Sequence, residues 1–331
     1  MRDLKLSGKL GQGPYLVAEA DEYDERFLQL KPYIAVVTNI EADHLDFYKS
    51  MANLKFAFSR FVKGIVPGGW LVACGDNDLA RQLGETRSLQ SLGGLRDMSA
   101  VRGNSLLYGL GEGVDYRADS LVVNDVGGYD FDVYHRSEAL GRFRTVIPGR
   151  HNVLNALAAI VVAQLLQVST DTVRATLADY HGTARRFQVK YEARGITVVD
   201  DYAHHPTEIK ATLAAARERN PGRRIVAVHQ PHTYSRLRNL LHEFAAAFAD
   251  ADIVVICDIY ASRETDDLGI HSRDLVAAMR HPGVCYVGSL AEAVRELQAI
   301  MQTGDVLITL GAGDVNRVGD EIVGLLVKAE R

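Results

Sequence analysis

Cysteine is scarce in this chain: three residues in 331, at Cys74, Cys257 and Cys285. No two form a C-x-x-C pair and an odd number cannot all be bridged, which excludes a disulfide framework. Each lies in or beside an apolar run, where a free thiol packs as a small hydrophobe, so the chain suits a reducing compartment. Long apolar stretches are missing too. None approaches the ~20 residues of a membrane span, and Met1-Arg2-Asp3-Leu4-Lys5-Leu6 lacks the apolar core of a secretory signal. The expectation is a cytoplasmic protein that meets no membrane. Nor is there a cationic excess: 37 Lys and Arg against 42 Asp and Glu leave a net charge of −5. That argues against a nucleic-acid partner, because binding phosphates requires concentrated positive charge. Repeats, low-complexity tracts and blocks of like charge are also absent.

What is present is an ordinary globular mix, 47% apolar and 24% charged, with enough apolar surface to offset chain entropy. At roughly 150 residues per domain the length predicts two domains. Strands are expected at Tyr33–Thr38, Trp70–Cys74, Arg144–Ile147, Ile196–Val199, Arg224–His229, Ile253–Ile259, Val284–Val287 and Val306–Leu310. Several are continuously apolar, as strands buried on both faces of a parallel sheet are. Helical periodicity falls between them, at Ser50–Lys63, Val153–Gln167, Thr170–Asp179, Pro206–Arg219, Tyr234–Phe248, Ser272–Met279 and Leu290–Gln302. This alternation predicts α/β architecture, with a Rossmann-like doubly wound unit after residue 195. Ser120–Asn124 and Tyr129–Tyr134 alternate polar with apolar residues and read as antiparallel strands at one edge. A boundary is expected at Gly182–Arg186, giving domains 1–184 and 185–331.

Candidate chemistry collects where strands end. Glu19-Ala20-Asp21-Glu22-Tyr23-Asp24 follows the apolar run Tyr15–Ala18, and Thr38 to Asp46, including Asp43-His44, follows Tyr33–Val37. If both runs are parallel strands, these acids meet at the carboxyl ends, where open α/β sheets bind ligands. Converging carboxylates repel unless a cation neutralises them, which points to a hard divalent metal; His44 by itself favours Mn²⁺, Zn²⁺ or no metal. The plainer alternative is solvated loop acids. Asn152 and Asn155 lie on one face of the first turn of the Val153–Gln167 helix, where Asn152 also serves as a simple cap. Asp200-Asp201-Tyr202-Ala203-His204-His205-Pro206 and His229-Gln230-Pro231-His232-Thr233-Tyr234-Ser235-Arg236 each follow one strand and open the next helix. Arg236 could clamp a carboxylate or phosphate, or be a surface arginine near a helix start. Arg185-Arg186 could reach a phosphate or pair across the boundary. Gly311-Ala312-Gly313 reads as a tight strand-to-helix turn before it reads as a dinucleotide loop.

Taken in order, the segments Glu19–Leu30, Ala35–Tyr48, Gly149–Ala159, Arg185–Gln188, Asp200–Lys210, Gln230–Arg236 and Thr309–Asp314 resemble the bacterial Mur ligases over nearly the whole chain. Within that family the resemblance is to the branch that adds L-alanine. It implies a partial central ATPase domain followed by a Rossmann-like carboxyl-terminal domain. It also implies ATP and Mg²⁺ as cofactors, with UDP-N-acetylmuramate and L-alanine as substrates in peptidoglycan synthesis. The implied chemistry is phosphorylation of a carboxylate by ATP, then attack of an amine on the acyl phosphate through a tetrahedral intermediate. Residue by residue, Glu19 and His44 match metal-binding positions, and Asn152 and Asn155 the segment near adenine. Arg186 and Asp201 match contacts to phosphate and ribose, and His204 and Arg236 the region holding the incoming amino acid and the acyl group.

The family's central domain opens with a phosphate loop ending Gly-Lys-Thr or Gly-Lys-Ser. Here the only Gly-Lys pair is Gly8-Lys9, followed by Leu10, so the chain reads as starting inside that domain. Three expectations follow: no ligation by the chain alone; a separate polypeptide that supplies the amino-terminal part, making the chain a binding or assembly module; and, within the family, an alternative ligase that attaches a preformed peptide.

Overall fold

The computed structural model describes Gly8, residues 10–85 and residues 104–328. Met1–Leu6 and Lys9 of the Gly8-Lys9 pair lie outside the described residues. The chain divides into two compact units. One draws on the stretch up to Val146 together with Arg150–Tyr180; the other on Ile147–Gly149 and the chain from His181 onward.

The first unit carries a six-stranded sheet in the order β1-β2-β3-β4-β5-β6. Its strands are β1 (Ile34–Val37), β2 (Trp70–Cys74), β3 (Asn104–Gly109), β4 (Tyr116–Val123), β5 (Tyr129–His135) and β6 (Glu138–Arg144). β1 to β4 pair in parallel, while β4-β5-β6 is an antiparallel meander at the edge, as the alternating sequence there suggested. Helices α1 (Leu45–Tyr48), α2 (Met51–Lys63), α3 (Asp78–Glu85), α4 (Arg150–Leu165) and α5 (Thr170–Asp179) complete it. Ser50 caps α2 by accepting from the Asn53 amide, and Ser169 caps α5 by accepting from that of Thr172. The nearly all-apolar α4 buries Val153, Ala156, Leu157, Ala158, Ile160 and Val161, consistent with a helix lacking a polar face.

Two strand expectations fail in this unit. Tyr15–Ala18 joins no ladder among the described residues, and Leu16 and Val17 are each 91% exposed. An apolar run becomes a strand only where a neighbour takes up its backbone groups, and among the described residues β1 pairs with β2 alone. Arg144–Ile147 is not a separate strand. β6 ends at Arg144, and its earlier residues Gly141 and Arg142 hide an edge strand that buries little more than Phe143.

The second unit has the order β11-β10-β9-β12-β8-β7, with β7 (Gln188–Ala193), β8 (Ile196–Asp201), β9 (Ile225–His229), β10 (Ile253–Cys257), β11 (Val284–Gly288) and β12 (Val306–Leu310). All pair in parallel except β7, which runs antiparallel to β8. The central β9 and β12 are buried at every position, whereas the edge strand β7 carries exposed Lys190 and Glu192, charges that discourage edge pairing. Around the sheet run α6 (Pro206–Arg219), α7 (Tyr234–Asn239), α8 (Leu241–Ala245), α9 (Ser272–Ala278), α10 (Leu290–Ile300) and α11 (Asn316–Lys328). The single helix expected over Tyr234–Phe248 is two short ones. Leu240, at φ −123° and ψ 26°, leaves the helical region between them while remaining buried. Because β12 is inserted between β8 and β9, the strand order reverses there, and doubly wound sheets open a ligand crevice at such a point. No helix among the described residues is long and apolar enough to cross a membrane.

Candidate active site

At the carboxyl end of β1 the chain passes through Thr38-Asn39-Ile40, where the Ile40 amide donates to Asn77 Oδ1 at 3.3 Å. His44 follows in the left-handed region (φ 53°), its amide donating to Asp43 Oδ1 at 2.7 Å. This conformation brings His44 Nε2 to 3.4 Å from Glu22 Oε1 and 3.7 Å from Asp43 Oδ2. The hydrogen bond from His44 outweighs burial and lowers the Glu22 pKa. Tyr48 donates its hydroxyl to the Glu22 carbonyl, and burial raises the phenol pKa to about 12. The carboxylates gathered around His44 are therefore Glu22 and Asp43, both members of the acidic clusters. Glu19, expected to share a metal with His44, lies on the exposed segment before them. No group of three or more His, Cys, Asp or Glu among the described residues is arranged to hold a metal unaided.

In the same unit Asn152 is not the helix cap. α4 begins two residues earlier, at Arg150, after Gly149 at φ 97°. Asn152 therefore sits within the first turn, its Nδ2 3.1 Å from His151 Nε2. Asn155, exposed one turn on, donates to Asn152 Oδ1 at 3.3 Å. The paired amides present donors and acceptors at a helix start, where free N–H groups already lie.

In the second unit the loops after β8, β9, β10 and β12 assemble a polar corner. Asp201 is buried, and its carboxylate accepts from the Phe187 amide at 2.7 Å and the Ala203 amide at 2.8 Å. Burial raises its pKa to about 6. Its oxygens thus brace the loop through one amide each. Arg185 staples three segments by donating to Asp200 Oδ2 and to the Gly311 and Gly313 carbonyls. Arg186 keeps an exposed guanidinium over the Tyr202 ring, 3.2 Å from Glu208 Oε1. Glu208 closes a capping box on α6, accepting from the His204 and His205 amides at 2.9 and 3.2 Å. Burial works against its ionisation, but His204 and Arg186 prevail and keep its pKa below the usual value.

His204 places Nδ1 3.0 Å from the Tyr202 carbonyl, which assigns the proton to that nitrogen. Its ring lies 5.8 Å from that of His232, which stacks on Tyr260 at 5.6 Å. Arg236 donates to the His232 carbonyl and, at 3.1 Å, to its Nδ1. Burial, with Arg236 and His204 nearby, lowers the His232 pKa to about 4, so that this ring is neutral. Two residues expected to act together, His204 and Arg236, thus meet through His232 in the crevice at the strand ends. His232 stood in the quoted motif without a role. Tyr260 and Glu264, from the loop after β10, gave no signal at all in the sequence.

Comparison with known proteins accounts for both units. Residues 9–163 match the Mur ligase middle domain, and residues 185–313 match the Mur ligase glutamate ligase domain. The chain is 43% identical over 325 residues to a UDP-N-acetylmuramate–L-alanine ligase of Anaeromyxobacter sp. (strain Fw109-5), covering 97% of this chain and 67% of that protein. The chain belongs to the Mur ligase family. A protein of the same name from Caldanaerobacter subterraneus subsp. tengcongensis is 40% identical over 317 residues, 95% of this chain and 66% of its own length. This Mur ligase chain therefore spans about two thirds of the length of these relatives. Among solved structures, the UDP-N-acetylmuramate-alanine ligase MurC of Thermotoga maritima superposes with a TM-score of 0.70 at 24% identity, over 92% of this chain and 62% of that one. The MurF ligase of the same organism, solved in complex with ADP, gives 0.69 at 18% identity, over 90% and 63%. At these identities the structures speak for the fold.

Proposed function

We propose that this chain supplies the middle and carboxyl-terminal parts of an ATP-dependent ligase that joins L-alanine to UDP-N-acetylmuramate in peptidoglycan synthesis. The observation that carries this reading is about 40% identity, over nearly the whole chain, to relatives of that name. In the proposed reaction a substrate carboxylate oxygen attacks the γ-phosphorus of ATP, releasing ADP. The amine of L-alanine then attacks the acyl carbon, loses a proton and expels phosphate. His204 and Arg236 would hold the incoming amino acid and the acyl group, with His232 between them; a guanidinium suits a carboxylate through paired N–H donors. Arg186 would meet nucleotide phosphate, and Asn155 with Asn152 the adenine. Asp201 would act by bracing the loop that carries His204.

The donors near His44 fit Mg²⁺ in the way that ion is usually bound, through one or two carboxylates plus substrate phosphates, without a complete protein cage. Glu22 and Asp43, with His44, would hold it. When bound it would offset the charge of triphosphate and carboxylate brought together. Because Gly8-Lys9 is followed by Leu10, the 331 residues alone are expected to give no turnover, and a polypeptide bearing a phosphate loop is the expected partner. The test is ADP release from ATP, UDP-N-acetylmuramate and L-alanine. It would use the chain alone and the chain fused to the amino-terminal third of the Anaeromyxobacter relative. The reading requires L-alanine-dependent release from the fusion. Release that responds to a preformed peptide and not to L-alanine would favour the sibling ligase, and turnover by the chain alone would refute the need for a partner.

A further inference from the structure

We propose that Glu264 is a positioning residue that fixes the His232–Arg236 corner by gripping the turn on which both side chains stand. The proposal rests on the reading above, that this corner receives the incoming amino acid. Glu264 comes from a different loop, after β10, and takes no part in the corner's surface as described. Its carboxylate accepts from Thr233 Oγ1 at 2.5 Å, from the Ser235 amide at 3.0 Å and from the Ser235 hydroxyl. One anion thus takes up three donors within the first residues of α7, a helix of only six residues whose Thr233 N-cap side chain accepts from no helix amide. A helix this short does not hold its shape by itself.

The same loop grips the turn twice more. The Tyr260 amide donates to the Pro231 carbonyl at 2.8 Å, and the Tyr260 ring stacks on His232 at 14° between planes. From the turn so held, Arg236 reaches back to the His232 carbonyl and Nδ1. Orientation of the Arg236 fork is therefore set at two removes by Glu264. Burial resists ionisation of Glu264, but the hydrogen bonds from Ser235 and Thr233 outweigh it, and its pKa lies below the usual value. It is a full anion in its grip at neutral pH. Charge-assisted bonds of this kind are roughly twice as strong as neutral ones.

The test separates gripping from mere charge. Among the groups facing His232, Arg236 and His204 lower its pKa, Glu264 raises it, and the largest influence is burial, which lowers it. Removing the Glu264 charge while the turn stays put must therefore lower the His232 pKa further. Letting the turn loosen and hydrate must raise it toward the ordinary value of about 6.5. The experiment follows the histidine ring resonances of the full chain by NMR between pH 3 and 8, in wild type and in Glu264→Gln, with His232 assigned by its loss in His232→Gln. The expected result is a rise of about one pKa unit or more in Glu264→Gln. A fall, or no change, overturns the proposal. Should Glu264→Gln fail to fold, Thr233→Val removes one of the three donors and leaves the charge. A smaller rise supports the proposal, and an unchanged His232 overturns it. L-alanine added to wild type in the presence of ADP tests the underlying reading separately: unmoved His204 and His232 signals refute the amino-acid site, whatever Glu264 does to the turn.

Discussion

His229 predicts a pH dependence whose sign and size can be worked out. It stands at the end of β9 with 0% exposure; Nδ1 lies 3.1 Å from the Leu310 carbonyl, and Nε2 has no hydrogen-bond partner among the described residues. The rings of Phe244 and Phe248 lie 5.7 and 5.4 Å away. Burial here lowers its pKa from 6.5 to about 3. Between those values the unfolded chain binds a proton at this position that the folded chain does not. Stability therefore rises with pH, by about 1.4 kcal/mol per unit from this group. Asp201 works in the opposite direction. Burial raises its pKa from 3.8 to about 6, so across that window the folded state is the one that binds the proton, and stability falls as pH rises. The two slopes nearly cancel between about pH 4 and 6.

The informative perturbation is His229→Phe. It costs a pH-independent hydrogen bond of about 1 kcal/mol, while the Leu310 carbonyl keeps the Gln230 amide as donor. Relative to wild type, the variant should gain about 2.3 kcal/mol as pH falls from 6.5 to 4.5, because the His229 slope starts at half its full value at pH 6.5 and reaches it below. The difference between variant and wild type cancels every other titrating group. A two-unit chain need not unfold in one step, so the suitable assay is amide hydrogen exchange at β9 and β12, read as opening free energies. A variant-minus-wild-type difference that stays flat from pH 6.5 to 4.5 would show that His229 is not held neutral.

Other expectations follow from single contacts. Asp305→Ala removes a carboxylate with 0% exposure that takes both Arg224 Nε and Nη2 at 2.8 and 2.7 Å; a loss of roughly 3 kcal/mol is expected in urea unfolding, and a loss below 1 would mean that Arg224 simply rehydrates. Ser289→Ala breaks the capping box with Glu292 at the start of α10 and should cost about 1 kcal/mol, visible as faster exchange in that helix first. At Gly128 an added Cβ would lie 2.0 Å from the Thr145 carbonyl oxygen. Gly128→Ala should therefore cost about 2 kcal/mol by overpacking, and an unchanged melting temperature would mean that the turn before β5 yields freely. Glu208→Gln keeps one oxygen for the two amides that already share Oε2 but removes the charge and with it the ion pairs with His204 and Arg186. About 1–2 kcal/mol should be lost, measured as earlier melting of α6.

Legibility tracked burial on both faces. Ile253–Cys257 and Trp70–Cys74 are continuous apolar runs and Val306–Leu310 is one broken only by Thr309, and each appears as a strand close to where the sequence put it. A fully buried strand needs apolar residues at every position, so its pattern admits few alternatives. The edge elements hid. β7 reads Gln-Val-Lys-Tyr-Glu-Ala and faces solvent along much of its length, β6 includes Gly141 and Arg142, and neither presents a run to find. The amphipathic α11 was missed as well, although Val318 and Ile322 stand four apart and are both buried. Tyr15–Ala18 erred the other way, because composition records the capacity to pair and not whether a neighbouring strand is there to receive it.

The site divides along a similar line. His204 and Arg236 were legible because a parallel sheet sends its strand ends to one rim, and polar residues directly after a buried run must gather there, whereas Arg186, just ahead of the edge strand β7, was singled out at the boundary and by the family resemblance. Sequence position alone therefore locates such groups without any knowledge of contacts. The residues that orient them follow no comparable rule. Glu264 lies 28 residues beyond Arg236, in a loop whose Arg-Glu-Thr-Asp-Asp composition reads as surface, and only the packing of the β10 loop against the β9 loop turns it inward. Asp201 shows the converse: the family resemblance implied a ligand contact, and the structure adds that two backbone amides donate to its oxygens. A carboxylate's partner is set by which N–H groups the fold leaves unsatisfied nearby, and that is a property of three loops together. Substitutions at Asp201 should accordingly act through the shape of the His204 loop: in Asp201→Asn one of the two amides loses its acceptor, and exchange at Phe187 or Ala203 should quicken before any change at Arg186. Slowed or unchanged exchange at both amides would return Asp201 to the ligand side of the argument.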